Sequence, residues 1–150
     1  MIALLDSGPL GVLTSPLANP DAIRCQHWFD TMVEHGHHMF TSEVCDYEVR
    51  RELLRINSTT GIARLDAFIL LVEFMPINRG TMLRAAQLWA EARRRGRPTA
   101  DAAALDADVI LAAQAQLLTE ELQEPVVVVT MNARHLGQFV DARRWQEIEG

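Results

Sequence analysis

Pro125-Val126-Val127-Val128-Val129-Thr130-Met131-Asn132 sets four consecutive valines between a proline and a polar turn. Successive side chains of a strand point to opposite faces, so an unbroken apolar run has both faces covered. That is the mark of a central parallel strand with helices on each side. A second run, Met1-Ile2-Ala3-Leu4-Leu5, reads the same way and passes into a loop at Asp6-Ser7-Gly8-Pro9.

Between these two strands the chain alternates. A helix over 22–34 is opened by Pro20 or Asp21 and closed at Gly36. A brief strand follows at His38-Met39-Phe40. Thr41-Ser42-Glu43 supplies a hydroxyl cap and an early acid for a helix reaching about Ile56. A third helix is predicted over 62–72, and 74–77 reads as a short strand in which Pro76 marks an edge or a strand end. Helices are predicted over 81–95 and 102–118, with a short loop or helix around 135–139. The segment 142–148 carries Trp145 and Ile148 at helical spacing. This alternation predicts an α/β fold, an α/β/α sandwich whose central, mainly parallel sheet has four or five short strands flanked by helices. With no repeat and no low-complexity tract, residues 1–150 are expected to form a single domain.

The composition, 49% hydrophobic and 23% charged, is that of an ordinary globular chain. A net charge of −6 argues against a protein that coats nucleic acid non-specifically. It agrees with clustered carboxylates awaiting a cation. No apolar stretch reaches membrane-spanning length, and Asp6 interrupts the first apolar run too early for a signal peptide. Cys25 and Cys45 lie too far apart for a short metal-ligand pair and read as reduced, half-buried thiols, which suits the cytosol.

Ligands of open α/β sheets sit beyond the carboxyl ends of the strands. Asp6 and Asn132 fall at two such ends. Asp6 reads either as an acid facing that crevice or as a turn former. Glu48, near Val44, Cys45, Arg51 and Glu52 on its helix, lies at the border of the apolar stripe. It reads as a site acid or as a solvated partner of Arg51. Asp106 and Asp108 open an alanine-rich helix, whose small side chains allow close approach to the sheet and leave room beside an acid. One of the two reads equally as a helix cap. Acids from three parts of the chain make a hard-oxygen set suited to Mg²⁺ or Mn²⁺. Without a cation such a set repels itself and raises some of its pKa values. His135 is placed to touch phosphate or to hydrogen-bond within its loop. The His35-Gly36-His37-His38 stretch reads as surface loop, and Trp28, Trp89 and Trp145 as core.

Four segments in order resemble the motifs of PIN-domain ribonucleases: Leu4-Leu5-Asp6-Ser7-Gly8, Tyr47-Glu48-Val49-Arg50-Arg51-Glu52-Leu53, Asp108-Val109-Ile110-Leu111-Ala112-Ala113, and Val129-Thr130-Met131-Asn132 followed by His135-Leu136. Ser7-Gly8 departs from the commoner Thr-Asn. The resemblance spans nearly the whole chain and implies a Mg²⁺- or Mn²⁺-dependent ribonuclease. Many single-domain members are toxins of type II toxin–antitoxin pairs, the VapC type. Under it, Asp6, Glu48 and Asp108 become metal ligands, Asp106 a nearby acid able to join them, and Asn132 the group that orients the attacking water. Arg93, Arg94, Arg95 and Arg97, or Arg134 and His135, would hold the RNA backbone, although the arginine patch also reads as a solvated helix end whose positive charge suits the C-terminal dipole. The resemblance further implies an antitoxin protein as partner, a homodimer and a cytoplasmic location. A DNA nuclease or a non-catalytic interaction module on the same scaffold stands as the alternative.

Overall fold

A computed structural model describes residues 1–101 and 105–149. Its centre is a five-stranded sheet in the order β3-β2-β1-β4-β5, built from β1 (Ile2–Leu5), β2 (His38–Ser42), β3 (Glu73–Met75), β4 (Val126–Val129) and β5 (Asp141–Arg143). Every neighbouring pair is parallel. The helices are α1 (Ser7–Thr14), α2 (Pro20–Glu34), α3 (Glu43–Arg55), α4 (Thr59–Ile69), α5 (Arg79–Arg94), α6 (Ala107–Leu122) and the short α7 (Ala133–Leu136). The expected α/β/α sandwich with a parallel central sheet is the fold observed.

Both strands that decided the reading are covered on each face. Leu4, Leu5, Val128 and Val129 are wholly shielded from solvent. The first turns of α6 are buried almost all round, from Val109 through Ala115, because this helix lies between β4 and α5. The alanines permit that close approach. Trp28 and Trp145 pack together in the core, with ring centroids 6.3 Å apart.

The caps follow the chemistry of the sequence. Asn19, Ser42, Ser58 and Asn78 each accept a backbone N–H at the start of a helix. Gly36 closes α2 in the left-handed region at φ +77°.

Five expectations need correction. The stretch after Asp6 is a helix, not a loop. The Asp6 carboxylate caps α1, and Pro9 sits in the first turn, where an N–H has no intrahelical partner to lose. The third helix begins at Thr59, three residues early, because Ser58 caps it. The helix placed over 102–118 begins at Ala107 and runs to Leu122, with Asp106 as its cap, while 102–104 lie outside the described residues. The segment 142–148 is not an α-helix: Asp141–Arg143 pairs with the open edge of β4, and a single 3-10 turn buries Trp145. Cys25 and Cys45 are free and fully buried rather than half-buried. Among the described residues, no helix is long and apolar enough to cross a membrane.

The sheet centre carries the fold, so truncating it is expected to be costly. Leu4→Ala should lower stability by about 2–5 kcal/mol. Urea unfolding checks this, and a loss below about 1 kcal/mol would contradict the packing described.

Candidate functional site

The strand order reverses between β1 and β4: the chain leaves β1 toward β2 on one side and returns to β4 on the other. Such a switch point opens a crevice at the carboxyl ends of the strands. Asp6 follows β1 and Thr130 follows β4, so both stand at its mouth. The Thr130 hydroxyl donates to Asp6 Oδ2 at 2.7 Å, and the Ser7 N–H donates to Oδ1 at 2.7 Å. Thr130 Oγ1 in turn accepts from the Asn132 N–H at 2.9 Å. Asp6 is thus held by donors from the start of α1 and from the turn after β4. Gly8 permits this convergence: a Cβ there would stand 2.7 Å from the Met131 side chain.

Glu48 and Asp108 reach the same crevice from α3 and α6. Asp108 is half-buried, and its carboxyl is pushed up to about 6. Burial is the largest cause. Asp6, Asp106 and Glu48 add to it by repulsion, and His135, with Nδ1 3.7 Å from Asp108 Oδ2, opposes it. The fully buried Cys45 thiol is also pushed well up, by burial first and then by Asp6 and Glu48. Asp6, Glu48 and Asp108 therefore face one region and feel one another. Glu48 also lies 3.9 Å from Arg51, a long contact on the exposed side.

The other expected residues divide. Asp106 caps α6: its carboxylate accepts from the Val109 N–H at 3.3 Å and from the Thr99 hydroxyl. Its oxygens are engaged in holding the helix start. Asn132 is exposed at the start of α7 and makes no side-chain cap. Arg134 and His135 are exposed beside it. Arg94, Arg95 and Arg97 are exposed at the end of α5 and just beyond it, with Arg95 3.7 Å from Glu91. Arg93 is turned inward, its guanidinium 4.8 Å over the Trp89 ring and donating to the Ala100 carbonyl. Thr130 was not assigned a role from sequence. A hydroxyl one residue past a central strand was the available signal.

Among the described residues, no three His, Cys, Asp or Glu side chains are drawn in tightly enough to hold a metal ion directly. The donor chemistry nonetheless fits a hard, hydrated dication. Mg²⁺ keeps several of its waters and binds proteins through one or two carboxylates. The repulsion recorded at Asp108 is the cost that such a cation would offset.

A parallel five-stranded α/β/α sandwich with acids gathered at its switch point is a PIN-like fold. Solved structures share it over nearly the whole chain. A chain of VapBC2 from Rickettsia felis bound to a DNA fragment from their promoter superposes with a TM-score of 0.74 at 14% identity, covering 97% of this chain and 99% of that one. DNA-bound VapBC from Salmonella typhimurium gives 0.71 at 20% identity, covering 97% and 98%. VapBC-1 from nontypeable Haemophilus influenzae gives 0.69 at 15%, covering 97% and 99%. No protein-family model and no curated protein matches the chain. The likeness is one of fold.

The sign of the Asp108 effect is testable. Its folded pKa is raised, so its stabilising contribution is full below about 4 and is lost as pH rises through about 6. Asp108→Asn should therefore gain stability over the parent as pH rises across that window, by on the order of 2–3 kcal/mol. Thermal unfolding of both proteins in chelator checks it. A difference that stays flat with pH would remove the crowding.

Proposed function

We propose that the chain is a divalent-metal-dependent endoribonuclease, the toxin of a type II toxin–antitoxin pair. The observation that carries this reading is the convergence of Asp6, Glu48 and Asp108 on one crevice, felt as the raised pKa of Asp108. The VapBC fold neighbours support the toxin assignment and an antitoxin partner. A homodimer acting in the cytoplasm belongs to the same reading.

In this mechanism Asp6, Glu48 and Asp108 would hold Mg²⁺ or Mn²⁺. When bound, the cation supplies an acidified water and a Lewis acid beside the scissile phosphorus. The chain's own residues do the positioning. Thr130 and the Ser7 N–H keep the Asp6 carboxylate aimed at the crevice. The uncapped Asn132 side chain is free to orient the attacking water. His135 and Arg134, at the rim, receive the RNA backbone. Arg94, Arg95 and Arg97 extend that grip, whereas Arg93 is committed to its own loop. Asp106 serves by fixing the start of α6, which carries Asp108.

Asp6→Asn should abolish Mn²⁺-dependent RNA cleavage while leaving the far-ultraviolet circular dichroism unchanged. Parent and variant are assayed side by side on RNA, single-stranded DNA and a phosphodiester dye. Full activity in the variant would reject the site. Preference for DNA would change the substrate. A parent that neither binds Mn²⁺ by calorimetry nor cleaves anything would be an interaction module.

A further inference from the structure

A groove of about 500 Å³ runs between β3 and α6, away from the acids of the crevice. Its lining runs from the first residues of three strands, Ile2, His38 and Glu73, to Pro76 and Asn78 past the end of β3. Its apolar lining includes Phe40, Phe74, Leu117 and Leu122. Phe74 is 41% exposed and Leu122 43%, so large apolar side chains stand in water here. Exposed apolar surface rimmed by polar residues marks an interaction site.

The rim is anionic. Glu73, Glu121 and Glu124 all line the groove and are all exposed. Among the described residues, the charged partner of Glu73 is His38, with Nδ1 at 3.3 Å. Glu121 and Glu124 take part in no ion pair among the described residues. Glu120 provides the contrast: it turns to α5 and accepts from Arg84 at 2.9 and 3.1 Å. Among the described residues, the carboxylates paired with the chain's own arginines lie elsewhere, and none of the three on the groove pairs with an arginine. β3 is also the outermost strand, so nothing in the sheet covers this side.

We infer that this groove docks a basic amphipathic segment of a partner protein, with apolar side chains on its floor and Arg or Lys against Glu73, Glu121 and Glu124. An apolar floor supplies affinity, and complementary charge supplies selection and rate. A second copy of this chain fits the rim poorly, since it carries a net charge of −6 itself. The inference does not depend on hydrolysis in the crevice.

The test uses a fluorescein-labelled amphipathic Leu/Lys peptide and a matched Leu/Glu peptide, read by fluorescence polarisation against the full chain. The Leu/Lys peptide should bind saturably, more weakly as salt rises, and the Leu/Glu peptide should not bind. The combined variant Glu73→Gln, Glu121→Gln, Glu124→Gln should weaken binding at least about tenfold, and Leu122→Ser should weaken it too. Glu34→Gln, Glu52→Gln, Glu149→Gln makes the same charge change elsewhere and should bind like the parent. Circular dichroism confirms that each variant is folded. Equal weakening in both triple variants would reduce the effect to overall charge and overturn the inference. So would a groove variant that binds like the parent, or a parent that binds neither peptide. In that last case, a dimer by light scattering that Leu122→Ser dissolves would make a second copy the occupant.

Discussion

Leu5 lies opposite Val129 where β1 and β4 pair, and the next residue of each strand, Asp6 and Thr130, meets its neighbour through a hydrogen bond of 2.7 Å. Much of the site descends from that register. Side chains alternate faces with a period of two, so a slip of one residue would turn the hydroxyl away from the acid. The β1–β4 register therefore also sets the geometry of the carboxylate. A charge-assisted bond of this kind is about twice as strong as a neutral one.

At Asp108, competing electrostatic effects can be ranked. The carboxylate lies in the first turn of α6, where the helix dipole favours negative charge. That favour is worth about 0.3–1 kcal/mol. A rise from 3.8 to about 6 corresponds to roughly 3 kcal/mol in the opposite sense. Burial and neighbouring acids outweigh the dipole, with His135 included on the favourable side. A chain selected for stability alone would not leave this charge crowded. Asp106, two residues earlier, shows what relief looks like: its oxygens are taken up by Val109 and Thr99.

What could be read from the sequence was what local pattern dictates. The valine run and the opening strand were legible because burial on both faces leaves no polar position to confuse them. Asp6, Glu48 and Asp108 were legible as strand-end or stripe-border acids. β5 was not, because Asp141-Ala142-Arg143 carries no strand pattern of its own: pairing with β4 makes it a strand, and Asp141 and Arg143 pair with each other at 2.6 Å. α1 was hidden because Gly8-Pro9 reads as a turn until Asp6 is seen to cap it. Arg93 read as part of a basic patch. Its inward role needs Trp89 beneath it and the Ala100 carbonyl beside it, and the second of these is set by the path of a loop.

The separation of Glu48 from Asp108 has its own device. Gln114 is fully buried in α6, and its amide donates to the Met75 and Pro76 carbonyls at 3.2 and 3.3 Å. Its Oε1 accepts from the Ser42 hydroxyl, which also caps α3 by accepting from the Val44 N–H. Ser42 stands six residues before Glu48, and Gln114 six residues after Asp108. One buried amide thus ties the start of the glutamate helix, the end of the edge strand and the middle of the aspartate helix together. A buried amide left without these partners would be costly, so the three elements hold their spacing as a set. The polar residue in the core thereby sets the spacing of the two helices that carry Glu48 and Asp108.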